Sequence, residues 1–170
     1  MRLVTWLVSM MVTVAVAGGE HWRRDAERVA INDKLKIVIA AEHCRPHAER
    51  LKRVLDTMTG GNFTITTGNG AEGIAIGAVG DFPQIELKPQ FKLDNPGEAQ
   101  GFEIKSHRNG IWLIGATPQA AGYAVSQLLL DLGCRVFAPT PHWEIIPKTA
   151  KAEYAFHLRE IPDYYTRKIW

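Results

Sequence analysis

The chain has little of what would place it in several common classes. Its 170 residues hold only two cysteines, Cys44 and Cys134. Two cysteines so far apart do not make a zinc site, which shows paired short spacings. One disulfide between them is arithmetically allowed. Each also sits beside an apolar run, where a free cysteine serves as a small buried hydrophobe, and the residues leave both options open. The formal net charge is only +2, with no basic stripe, so the chain lacks the electrostatic footprint of a nucleic-acid surface. There is no internal repeat and no low-complexity tract. No G-x-S-x-G is present, so serine-hydrolase chemistry has no support. H-E-x-x-H is also absent.

What is there begins with an N-terminal segment outside the fold. Met1-Arg2 carries a charge, Leu3 to Ala17 is apolar apart from Thr5, Ser9 and Thr13, and Ala15-Val16-Ala17 precedes Gly18. A charged start, an apolar stretch and a small-residue A-x-A site are the parts of a secretory signal peptide. The apolar run is shorter than the ~20 residues that span a bilayer. The expectation is a signal peptide over 1–17, cleavage after Ala17, a secreted or periplasmic product, and no membrane association afterwards. No cysteine follows where a bacterial lipoprotein would need one.

With 46% hydrophobic and 22% charged residues, the remainder has the composition of one ordinary globular domain. Residues 18–34 read as a polar, loosely held lead-in. Leu35 to Ala40 is a short β-branched run, a buried strand. His43 to Met58 reads as a helix with Pro46 in its first turn. Its apolar face carries Ala48, Leu51, Val54, Leu55 and Met58, and Gly60 ends it. Phe63–Thr66 alternates and Ile74–Gly77 is apolar throughout, so both are strands. Residues 79–96 are divided by Pro83, Pro89 and Pro96 and read as a loop. Asn109-Gly110 between two apolar runs predicts a β-hairpin over 101–115. Thr117 caps a second helix, Pro118 takes its first position, and Gly133 stops it. Cys134–Phe137 and Trp143–Ile146 are extended. Val136 and Phe137 are assigned to the sheet and core, Arg135 to the polar side. The sum is an α/β fold of the α+β sandwich type, one mixed sheet with two main helices packed on it.

Few residues suggest chemistry. Gly68-x-Gly70-x-x-Gly73 spells a dinucleotide fingerprint but precedes a strand, not a helix, and reads as a turn. His43 and His47, at i and i+4 with Glu42 beside them, have a spacing that can hold a metal. Helix-start histidines on a polar face explain them equally well, and no cofactor or metal is expected. Glycosidases use two carboxylates. Glu103, Asp131 and Glu144 lie nearest regular elements, but Glu103 alternates with Phe102 and Ile104 and is expected to face solvent. Trp143, Tyr164, Tyr165 and Trp170 are aromatics that could stack on a sugar ring, although Trp112 and Trp143 fit a core better.

The stretch from Gly101 to Pro147 forms a larger pattern. It comprises Gly101-Phe102-x-Ile104, an apolar strand ending in Gly115, then Thr117-Pro118 with Gly122 in the helix that follows. Leu132-Gly133-x-Arg135-x-Phe137-x-Pro139, Trp143 and Ile146-Pro147 complete it. A weaker N-terminal part is Ala48, Leu51 and Leu55 leading to Thr59-Gly60-Gly61. The pattern resembles the N-terminal domain that precedes the catalytic barrel in α-glucuronidases and the comparable domain of family 20 β-hexosaminidases, as carried by secreted bacterial glycoside-hydrolase-like proteins. The resemblance implies an α/β domain over 35–150, a linker over 151–170 leading to a barrel this chain lacks, and no catalytic residue of its own. Its partners would be that barrel and carbohydrate. A stand-alone carbohydrate-binding or partner-docking module is the alternative. An exposed apolar patch near Ile161–Trp170 would favour the accessory domain.

Overall fold

The computed structural model describes residues 26–137, 143–149 and 152–162. The expected signal segment, its cleavage site, Pro139, Tyr164, Tyr165 and Trp170 lie outside the described residues.

The strands are β1 (Val29–Ile31), β2 (Ile37–Ile39), β3 (Ile65–Thr67), β4 (Gly73–Ala78), β5 (Phe102–His107), β6 (Gly110–Gly115), β7 (Arg135–Val136), β8 (Glu144–Ile145), β9 (Ala152–Tyr154) and β10 (His157–Glu160). The helices are α1 (Arg45–Thr59) and α2 (Pro118–Asp131). Six strands form one mixed sheet in the order β10-β5-β6-β4-β2-β3, while β1-β9 and β7-β8 are separate two-stranded ribbons. β2, β3, β4 and β6 run parallel, and β5 and β10 are antiparallel additions at one side. The fold is α+β, with two helices on one sheet.

The pleat sorts the central strands into two cores. Ile37, Ile39, Ile74, Ile76, Ile111 and Leu113 face α1 and α2. Val38, Ala75, Trp112 and Ile114 face the other way, where Phe82 and Ile85 from the loop 79–101 cover them. Strands buried on both faces need apolar residues at every position, which is why these segments read as continuous runs.

Both helices end where local chemistry dictates. Thr117 Oγ1 accepts the Ala120 N–H at 3.2 Å, which satisfies one orphan donor of the first turn. Gly60 closes α1 in the left-handed region at φ 72°. The hairpin is present, but its turn is shifted by one residue from the expected Asn-Gly pair. His107 pairs with Gly110, leaving Arg108 and Asn109 as the two loop residues, and no non-glycine residue has positive φ among the described residues. Gly110 is needed for a different reason. A Cβ there would lie 1.8 Å from the Gly73 carbonyl oxygen of the neighbouring strand, so only glycine lets β4 and β6 approach.

Three sequence expectations change. Residues 18–34 are not wholly loose: β1 pairs with β9 and buries Val29 and Ile31. The segment 151–170 is not simply a linker, because β10 is the edge strand of the main sheet. The buried Ser106 pins it there, accepting the Phe156 N–H at 2.8 Å and donating to the Glu27 carbonyl at 2.6 Å. Glu103 does alternate away from the helices, but it is only 8% exposed. The face it points to is covered by loop and edge strand, and His157 Nε2 lies 3.1 Å from its carboxylate.

Candidate functional site

The densest cluster of special residues lies where α2 ends and β7–β8 begins. Leu132 is the helix C-cap, and Gly133 follows at φ 89°, a conformation that costs an L side chain about 1–2 kcal/mol. Arg135 then turns back: its Nη1 donates to the carbonyls of Leu130 at 2.8 Å and Cys134 at 2.7 Å. A guanidinium on the last carbonyls also complements the negative end of the helix dipole. Pro147 lies against Gly133, and Thr149 N–H donates to the Met58 carbonyl at 2.9 Å, so the outgoing chain is sewn across the ends of both helices. Arg53 of α1 holds Glu144 of β8 at 2.9 Å.

The other motif residues have equally mechanical places. Phe102 is buried, and Gly101 lies against Phe91. Gly115 is pressed against the first turn of α2, where a Cβ would sit 2.1 Å from the Ala121 nitrogen. Gly122 faces His47, whose Cε1 would be 2.4 Å from a Cβ. That glycine therefore sets how closely α1 and α2 pack. Burial, opposed by a hydrogen bond to the Pro118 carbonyl, pushes the His47 pKa down.

The ribbon itself departs from expectation. Phe137 is 66% exposed, Trp143 59% and Ile145 57%, with Val136 and Leu130 also exposed. Val136, Phe137 and Trp143 were expected in the sheet or core. They are outside because, among the described residues, β7 pairs with β8 alone and no further layer covers that ribbon. Beneath it, α1, α2 and β7–β8 enclose a cleft of about 200 Å³ floored by Val54, Leu129 and Cys134 and rimmed by Arg50 and Glu144. Of the patch expected near 161–170, only Ile161 and Pro162 are described, and Ile161 is exposed.

The acids each have a separate partner. Glu103 meets His157, Glu144 meets Arg53, and Asp131 accepts from Gln127 Nε2 at 2.9 Å. Burial, helped by Glu160, raises the Asp131 pKa. Asp131 lines a second cleft, of about 430 Å³, with Gln127, Tyr154, Phe156 and His157. It is the single carboxylate among the described lining residues, where glycoside hydrolysis needs two. Tyr154 stacks on Phe156 there, centroids 5.3 Å apart.

Both cysteines are free and buried. The expected histidine pair divides: His47 faces Gly122, whereas His43 sits in a 3-10 turn (Glu42–Cys44) with Nε2 3.0 Å from Asp81 Oδ2. The Gly68–Gly73 stretch is the turn between β3 and β4, and the Gly70 carbonyl accepts the Trp112 indole N–H at 2.8 Å.

No family model matches the chain, and no curated protein does. Among solved structures, it is similar to a GH20 exo-β-N-acetylglucosaminidase from Vibrio harveyi, with 12% identity, a TM-score of 0.52, 85% of this chain covered and 18% of that one. It is also similar to a family GH115 4-O-methyl-α-glucuronidase with specificity for decorated arabinogalactans, with 17% identity, a TM-score of 0.53, 77% of this chain covered and 18% of that one. The likeness is one of fold. The chain has a fold found as a part of glycoside-hydrolase chains, and it spans 18% of the length of each.

Proposed function

We propose that this chain is the non-catalytic, N-terminal accessory domain of a secreted glycoside hydrolase, packed against a catalytic barrel through the exposed β7–β8 ribbon. The observation that carries the reading is the fold. One domain, matched over most of its length, corresponds to a minor part of chains from two glycoside-hydrolase families. Two further features support it. Among the described residues, Glu103, Asp131 and Glu144 are engaged singly, whereas glycosyl hydrolysis requires a pair. Phe137, Trp143, Val136, Ile145 and Leu130 form an exposed apolar group of the kind that marks an interaction surface. In this arrangement Gly133, Arg135 and Pro147 are structural: they stop the helix and aim the ribbon at its neighbour.

The test starts from the coding sequence beyond the codon for Trp170. Where it continues into a barrel, the whole protein should hydrolyse an aryl glycoside, this chain alone should hydrolyse none, and deleting it should lower the barrel's melting temperature. Hydrolysis by the isolated chain would sink the reading, as would a barrel indifferent to its loss. A stop codon directly after Trp170 would sink the single-chain form.

A second reading, a stand-alone secreted carbohydrate-binding or docking module, draws on the cleft beside Tyr154. A half-buried aromatic ring next to the amide of Gln127 and the carboxyl of Asp131 offers a stacking face and polar groups for sugar hydroxyls. Calorimetric titration with N-acetylglucosamine and glucuronate oligomers checks it. Heat that disappears in Tyr154→Ala supports the module, and no heat in the wild type removes it.

A further inference from the structure

β2 and β4 are adjacent and parallel, and the chain leaves their C-terminal ends in opposite directions. From β2 it passes through α1 to β3 on one side, and from β4 it passes through the loop to β5 and β6 on the other. Such a switch point opens a crevice outside the carboxyl ends of the two strands, where open α/β sheets take their ligands. The two connections that diverge here each bring metal-binding side chains to it. The turn after β2 supplies His43 and Cys44, and the turn after β4 supplies Asp81. The imidazole nitrogen, the thiol sulfur and a carboxylate oxygen lie within 4.8 Å of one another.

The carboxylate is preorganised. Asp81 Oδ2 accepts the Ala78 N–H at 2.8 Å, and the Asp81 N–H donates to the Ala78 carbonyl at 3.0 Å. Gly80, at φ 93°, allows that tight turn. The three donors also run from outside inward: the His43 side chain is 40% exposed, Asp81 is intermediate, and Cys44 has no exposure. Glu42, next to His43 in the chain, is held by Arg45.

We propose that His43, Cys44 and Asp81 form a binding site for a divalent cation of the zinc class, with its remaining position open to solvent on the His43 side. One nitrogen, one sulfur and one oxygen donor suit zinc, whereas magnesium and calcium take oxygen ligands. Bonds of about 2.0–2.3 Å put tetrahedral donors roughly 3.3–3.8 Å apart, so the set needs to close by only about 1 Å. The His43 side chain, 40% exposed, is the least confined of the three. Binding replaces the His43–Asp81 hydrogen bond and exchanges the Cys44 thiol proton for the cation, releasing that proton to solvent. The site is independent of any barrel. It ties the start of α1 to the end of β4, so the bound cation should stabilise the domain.

Cobalt(II) titrated into the full chain is the probe, because a cobalt–thiolate bond gives a near-ultraviolet charge-transfer band that nitrogen and oxygen ligands do not. The expected result is a band saturating at one cobalt per chain and bleached by added zinc. Cys44→Ser should remove it and Cys134→Ser should keep it. His43→Gln and Asp81→Asn, both at the outer side of the site, should weaken affinity at least tenfold with unchanged circular dichroism. No band in the folded wild type, or a band that survives Cys44→Ser, overturns the site. Should Cys44→Ser fail to fold, the two outer variants decide, and unchanged cobalt affinity in both overturns it as well.

Discussion

The strands β4 and β6 and the ribbon β7–β8 both carry large apolar side chains, and those side chains have opposite fates. Gly73–Ala78 (GIAIGA) and Gly110–Gly115 (GIWLIG) are buried at every position. Val136, Phe137, Trp143 and Ile145 are as apolar and stand in solvent. The first pair has a strand on each side, two helices on one face and a loop on the other. Among the described residues, the two ribbon strands pair only with each other and no further layer covers them. Apolar composition therefore qualifies a segment for a core without placing it there, since strand preference is largely a preference for a packed surface. A two-stranded ribbon is marginal by itself. This one is held by its roots, Gly133 against Pro147 and Arg53 against Glu144.

On the core side, Gly115 is pressed against the first turn of α2. Gly115→Val would drive Cβ into the α2 backbone, and the expected loss is about 4 kcal/mol or more, beyond what ordinary overpacking costs. A urea melt near that of the wild type would mean α2 does not rest on β6 as described. Gly133→Val, at the ribbon's root, meets open space and a tolerable 3.5 Å contact with Pro147. Its cost is conformational, about 1–2 kcal/mol. An unchanged melting temperature would reject the left-handed helix end.

The core side also carries a titration. His107 stacks on Trp112, ring centroids 4.0 Å apart. Burial pushes its pKa down, with Glu27 and Glu86 opposing and Lys105 adding to the depression; burial does the same to His47. For a base whose folded pKa is depressed, the stabilisation is present above the unfolded value of about 6.5 and is lost as pH falls through that value toward the folded one. Melting temperature should thus fall modestly from pH 7.5 to 5.5, and His107→Gln should flatten the curve. A curve as steep in that variant would remove His107 as the cause. The smallest effect belongs to the ribbon. Trp143→Ser should change the stability of the isolated chain by no more than about 0.5 kcal/mol while reducing binding of a hydrophobic dye. A loss of 2 kcal/mol, roughly that of a buried side chain, would show Trp143 to be covered.

The sequence made much of the fold legible, for reasons that differ by residue. Thr117-Pro118 and Gly60 announce helix ends through hydrogen bonding and backbone sterics that operate within a few residues. The double-sided burial of β4 and β6 is visible as unbroken apolar runs. The hairpin was legible, although the glycine that signalled it serves inter-strand approach. Other features needed distant partners. β10 looks like a polar tail (HLRE), because it is an edge strand held by Ser106, 50 residues earlier. The exposure of Phe137 and Trp143 carries no local mark. Nor does the meeting of His43 with Asp81, 38 residues apart, since it depends on which strands became neighbours.

By itself, then, the sequence determined where helices stop, that the apolar central segments are extended, and which face of each helix is apolar. Those outcomes follow from φ limits, capping hydrogen bonds and side-chain periods of about 3.6 and 2, all of which act along the chain. Only the tertiary structure decided which apolar strands lie at the centre and which ribbon is left outside. It also buried Glu103 and gathered one histidine, one cysteine and one aspartate at the switch between β2 and β4. These are matters of strand order and layer coverage, set by many weak contacts between distant segments, and no short stretch of residues contains them.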